Sequence, residues 1–185
     1  MPEANRAKKA GYSMAWRTLA ATAAVVALGT ITGCSEPHAK TEYDAPRALC
    51  GTPVNPDLVS PFLPSGKEIK VRETHPVPSR TICRVDVDGR WVLMANTEWW
   101  REDVSSSTVA SANAQLRKAQ LSPDGDYYSA TGSVKLVKGC KSSAHSRQLL
   151  YTSLQISNAD LGDTPAMKKL ATAYTDAVGR SDACS

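Results

Sequence analysis

Five cysteines divide this 185-residue chain unequally, and the division limits what it can fold into. Cys34 closes an apolar run near the amino terminus, whereas Cys50, Cys83, Cys140 and Cys184 are spread through the remainder. An even set of four in a chain of this size reads as a disulfide framework, provided the chain reaches an oxidising compartment. Three pairings are open. Cys50 with Cys83 and Cys140 with Cys184 is favoured, because each bond then brackets one compact block of secondary structure. Closing loops of that size is worth roughly 4 kcal/mol in the chain-entropy treatment. A zinc site would need C-x-x-C or histidine at ligand spacing, and neither is present. No metal and no cofactor is expected.

The segment before Cys34 has the parts of an export signal in order. Arg6, Lys8, Lys9 and Arg17 supply the positive flank, and Thr18 to Ile31 supplies an Ala/Val/Leu-rich core. That core falls short of the roughly 20 apolar residues a bilayer span requires. Ile31-Thr32-Gly33-Cys34 resembles the bacterial lipobox, at which the signal is removed and the cysteine is lipidated. Residues 1–33 are therefore expected to be a lipoprotein signal peptide. Cys34 is the expected site of lipidation (palmitate or a similar chain). One acyl chain binds a membrane marginally, and two or more hold. The expected location is the extracytoplasmic face of the cell membrane, reached through Cys34.

Removing residues 1–33 changes the charge balance. The whole chain carries 22 basic and 18 acidic residues, a net charge of +4, but four basic residues and only Glu3 lie in the signal. The remaining 152 residues are close to neutral, at +1. The apparent basicity belongs to targeting, so nucleic acid is not an expected partner. The length suits one domain with its own core. Residues 34–49 are polar and aperiodic and read as lipidated cysteine plus flexible tether, and residues 50–185 as the extracytoplasmic domain.

Within that domain Asn55-Pro56 opens a helix that Pro61 and Pro64 keep short. Ile69 and Val71 alternate with charged residues as in a strand, and His75-Pro76-Val77-Pro78 is expected to break it. Thr81 to Val87 and Arg90 to Trp100 read as two further strands joined by the Asp88-Gly89 hairpin turn, the three forming an antiparallel meander. Asp103 is the expected cap of a helix with Val109, Ala112, Leu116 and Ala119 on its apolar face. Tyr127 to Val137 reads as a strand pair or one bent strand, with a bulge expected at Gly132. Arg147 to Ser157 alternates again. Asp163 or Thr164 caps a last helix whose stripe is Met167, Leu170, Ala171, Tyr174 and Val178. The fold class is α+β, a single domain with an antiparallel sheet of about five strands, two or three helices against it, and two disulfides.

The order lipobox, polar tether, Leu49-Cys50-Gly51-Thr52-Pro53 with a short Pro-bounded helix, a cysteine on the next hairpin, Gly139-Cys140, and a final helix ending in Asp182-Ala183-Cys184 resembles uncharacterised small actinobacterial lipoproteins. The resemblance implies a surface-anchored α+β domain and carries over no catalytic residue.

The chain has no G-x-S-x-G, S-x-x-K, H-E-x-x-H or Gly-rich phosphate loop, so no catalytic residue is assigned. His38, His75 and His145 fall in predicted loops or tether. Asp86-Val87-Asp88-Gly89 and Asp124-Gly125-Asp126 lack calcium-loop spacing and read as turns. Trp91 and Trp99, eight apart on one strand, are expected on one face and Trp100 on the other. Trp100, Arg101 and Glu102 form the candidate binding surface, a stacking platform for sugar or peptide, although packing of all three rings is the stronger expectation. The function expected is a membrane-anchored binding or envelope-complex support domain, with an envelope protein or cell-wall ligand as partner. Its rival is an extracytoplasmic hydrolase whose site is assembled only in the fold.

Overall fold

The computed structural model describes residues 41–116 and 118–184. The lipobox and Cys34 lie outside the described residues, and among the described residues no helix is long and apolar enough to cross a membrane.

Cys50 and Gly51 have positive φ, 47° and 82°, and turn β1 (Ala48–Leu49) back onto β2 (Thr52–Pro53). The Asn55 side chain accepts the Asp57 N–H to cap α1 (Pro56–Val59), a single turn extended by a 3-10 turn at Ser60–Phe62. The meander follows: β3 (Ile69–Val77), β4 (Arg80–Val87) and β5 (Arg90–Arg101). Asp88 and Gly89 both take positive φ, 49° and 77°, as the mirror-image two-residue turn requires. The expected break at His75-Pro76 does not occur. β3 is an edge strand, where proline costs no ladder hydrogen bond, and a register shift between Thr74 and Val77 absorbs it.

α2 (Ser106–Ser111) is capped by Ser105 rather than Asp103, whose carboxylate pairs with Arg101. The helix is shorter than its apolar spacing suggests, because the buried Asn113 amide donates to the Val109 carbonyl and a 3-10 turn, Ala114–Leu116, follows. Three short strands come next, β6 (Gln120–Leu121), β7 (Tyr127–Ser129) and β8 (Gly132–Leu136). Gly132 is not bulged. A Cβ there would lie 2.7 Å from the Leu154 carbonyl oxygen, so close approach of strands is what demands glycine. β9 (Gln148–Ile156) and α3 (Thr164–Gly179) complete the chain, with the Asp163 carboxylate accepting the Ala166 N–H as the helix cap.

The sheet is antiparallel throughout, in the order β3-β4-β5-β9-β8-β7-β6. Seven strands replace the expected five or so, because Gln120 to Leu136 supplies three. Both favoured disulfides, Cys50–Cys83 and Cys140–Cys184, are present.

One face of the sheet carries Cys83, Val85, Leu93, Ala95, Leu150, Leu154 and Ile156 and is buried beneath Met167, Leu170, Ala171, Tyr174 and Val178 of α3 and beneath Leu49, Val59 and Phe62. Tyr43 and Leu49, assigned above to the tether, belong to this packed body. The opposite face is covered only in part. Val109, Ala110 and Leu116 lie over Val134 and Tyr151, while the β3-β4-β5 portion holds half-buried or exposed side chains such as Arg72, Ile82, Arg84 and Met94.

Candidate functional site

The twelve-residue β5 connects the two ends of the sheet, and its ends differ in chemistry. At the first end lie the Asp88-Gly89 turn and the point where the described chain joins the body: the Glu42 N–H donates to the Gly66 carbonyl at 2.8 Å, and the Tyr43 hydroxyl donates to the Pro64 carbonyl. At the second end β5 runs out through Trp99, Trp100 and Arg101 beside the loop between β8 and β9.

That loop is fixed from two sides. The Cys140–Cys184 bond ties it to the segment after α3, and the His145 ring stacks on Trp99 with centroids 4.6 Å apart and planes 11° from parallel. The side-chain Oε1 of Gln148 holds His145 Nδ1 at 2.5 Å. His145 thereby becomes a ridge between two open clefts of about 560 and 660 Å³. Glu102, His145, Ser146 and Gln148 line both. Arg101, Asp103 and Arg147 also line the first, and Lys141, Ser142 and Ser143 the second. The Arg101–Asp103 pair across the first cleft, at 2.7 Å, is well exposed and contributes little to stability. Hydroxyls, a carboxylate, guanidiniums and a stacked ring suit a ligand recognised by hydrogen bonds and ring stacking, as sugars and peptides are.

The structure redistributes the tryptophans. Val85 pairs with Leu93 but Asp86 pairs with Trp91, so one extra residue, Val92, bulges β5. Val92 and Leu93 both enter the main core, and Trp91 turns to the face of Asp86 and Arg84, so the expectation that Trp91 and Trp99 share a face is corrected. Trp99 packs against the main core and Trp100 against the second cluster, where its Nε1 is buried without a hydrogen-bond partner among the described residues. Of the candidate trio, Arg101 and Glu102 reach the clefts, and Trp100 lies under them in the packing. Nothing local in the sequence links Trp99 to His145, 46 residues further on, so the stack was illegible there.

Other chemistry-bearing residues lie elsewhere. His75 Nε2 contacts Glu73 at 2.8 Å and Nδ1 contacts the Thr81 hydroxyl at 3.2 Å, a hydroxyl-imidazole-carboxylate line on the exposed edge strand. Asp86, its side chain 2% exposed, accepts from Arg84 Nε at 2.6 Å and from Arg72. Burial opposes its ionisation, but the hydrogen bonds and charges of Arg84 and Arg72 outweigh it and hold the carboxyl below the usual range. Under α3, Asp126 pairs with Lys135, whose ammonium also donates to the Tyr128 hydroxyl at 2.9 Å. Burial pulls the Lys135 pKa down, and these two partners overcompensate and raise it. Among the described residues no group of three or more His, Cys, Asp and Glu side chains could hold a metal ion.

No family model, no curated protein and no solved structure matches this chain.

Proposed function

We propose that this chain is a membrane-anchored extracytoplasmic lipoprotein, attached through Cys34, whose domain binds an envelope protein or cell-wall ligand in the clefts beside His145. The observation that carries the reading is the polarity of the molecule. The chain coming from the lipobox enters the body at one end of the sheet, and the clefts open at the other, which turns them away from an anchoring membrane. Two disulfides fit an exported chain.

Cys34→Ala should abolish fatty-acid incorporation and lipoprotein-type cleavage, because the thiol is both the acyl acceptor and part of the recognised sequence. Equal labelling of variant and parent would refute the anchor. A photo-crosslinker at Arg147 should capture the ligand from detergent-solubilised envelope, and the same reagent at Asp160, at the other end of the sheet, should not. Capture that is equal at both positions would refute the assignment of the clefts.

A further inference from the structure

The mature chain holds three tryptophans, and only one of them is left outside the packing. Trp99 and Trp100 each join a hydrophobic cluster, whereas Trp91, half-buried, joins neither. The bulge at Val92 is what turns its indole away from the core. It lines a cleft of about 620 Å³ with Pro64, Ser65, Arg84, Asp88 and Arg90. Pro64 and the neighbouring Gly66 are the residues that Tyr43 and Glu42 grip, so this cleft adjoins the point where the chain enters the body.

Covalent length then limits where that cleft can be. Thr41 is seven residues after Cys34. Seven residues cannot extend beyond about 25 Å. A body of some 150 residues is about 40 Å across on the usual scaling of radius with length. The entry pole is thus held within less than one body diameter of the bilayer surface, whatever path the connecting residues take.

We propose that this pole seats on the lipid headgroup layer, with the Trp91 indole as its interfacial contact and the Arg84 and Arg90 guanidiniums on lipid phosphates. The proposal rests on attachment through Cys34. Indoles favour that layer because an apolar body and a polar N–H are both satisfied there. Among the described residues Arg84 is engaged through Nε, by Asp86, which leaves its two terminal nitrogens to other partners, and Arg90 is exposed with no ion pair among the described residues. The carboxylate in the cleft lining, Asp88, has both oxygens engaged by the Lys67 and Glu68 backbone N–H groups.

The test couples the mature chain, beginning at Cys34, to a maleimide lipid in vesicles of phosphatidylcholine and phosphatidylglycerol that carry a quencher at headgroup depth. The other four cysteines are paired, so Cys34 is the thiol that reacts. Tryptophan emission of the parent should be quenched. Trp91→Phe, which retains a ring and the fold, should remove at least three quarters of that quenching, and Arg90→Glu should reduce it about twofold. Equal fractional quenching in the parent and in Trp91→Phe, or none in the parent, would overturn the proposal and would point to a protein partner at this pole instead. Because the coupling is chemical, that failure is distinct from failure of acylation in the cell, which fatty-acid incorporation at Cys34 reads separately.

Discussion

The two faces of the sheet are held by different physics. The α3 face is closed by apolar side chains from helix, strands and amino-terminal ribbon, with Leu93, Leu154 and Ile156 at most 1% exposed. The opposite face is apolar only under α2. Beside that apolar patch runs a polar ladder, in which Asn96 donates to Ser153 at 3.1 Å and Gln155 donates to Asn113 at 2.8 Å. Its bare portion is organised by Asp86 between Arg72 and Arg84. The first face supplies stability through burial, which is cumulative and indifferent to detail. The second specifies geometry through partners, and each lost partner leaves a polar group unsatisfied.

The sharpest way to break this comparison uses neighbours on β5. Leu93→Ala on the closed face should cost about 3 to 5 kcal/mol in urea unfolding, because it leaves a cavity in a core that cannot collapse around it. Met94→Ala, one residue on and facing the bare side, should cost less than about 1 kcal/mol. Similar costs for the two would remove the distinction between faces. Trp100→Ala, on the covered part of the second face, should fall between them at about 2 to 3 kcal/mol, since the ring is only partly buried. A lowered midpoint with unchanged slope would locate the loss in packing, and near-parental stability would return Trp100 to the candidate binding surface.

Below the Trp100 effect in size comes that of Asp86. Its depressed pKa means that the folded state holds fewer protons than the unfolded chain around the carboxylate range. Its stabilisation is therefore present above pH 4 or so and is lost as pH falls through the lower, folded value. Although Asp86 itself is covered, its partners Arg72 and Arg84 are 59% and 40% exposed, so screening keeps the contribution to about 1 kcal/mol. Asp86→Asn should cost that same amount, about 1 kcal/mol, at neutral pH and remove the corresponding part of the acid dependence. An unchanged acid limb in the variant would show that Asp86 does not organise the bare face.

The elements that were legible in the sequence are those whose signals are local. Asp88-Gly89 dictated a turn, Asn55-Pro56 a helix start, and the stripe from Met167 to Val178 the face that α3 buries. Errors arose where long-range packing overrode local pattern. Pro76 reads as a strand breaker because nothing nearby reveals that β3 is an edge. The α2 helix was read as long because the Asn113 side chain competes for a backbone carbonyl that the spacing of alanines and leucines conceals. One inserted residue, Val92, reversed the face of Trp91, since period-two reasoning carries any slip to every residue beyond it. The candidate site was half legible. Arg101 and Glu102 directly follow the strand read from Arg90 to Trp100, Arg101 as the last residue of β5 and Glu102 just beyond it, but the His145 ridge depends on a stack and a disulfide that join distant parts of the chain.

The Cys140–Cys184 bond also sets an order of events. Its second sulfur follows the first by 44 residues, and β9 and α3 both lie between them. A chain that crosses a membrane amino terminus first presents Cys50 and Cys83 together well before Cys184 emerges. The sheet's meander can therefore be stapled while α3 is still in transit, whereas the loop that carries His145 has no covalent partner until that helix has followed. The clefts are in this sense the last part of the molecule to be made, and an oxidant-starved cell would accumulate molecules with a sound meander and an unfinished cleft end.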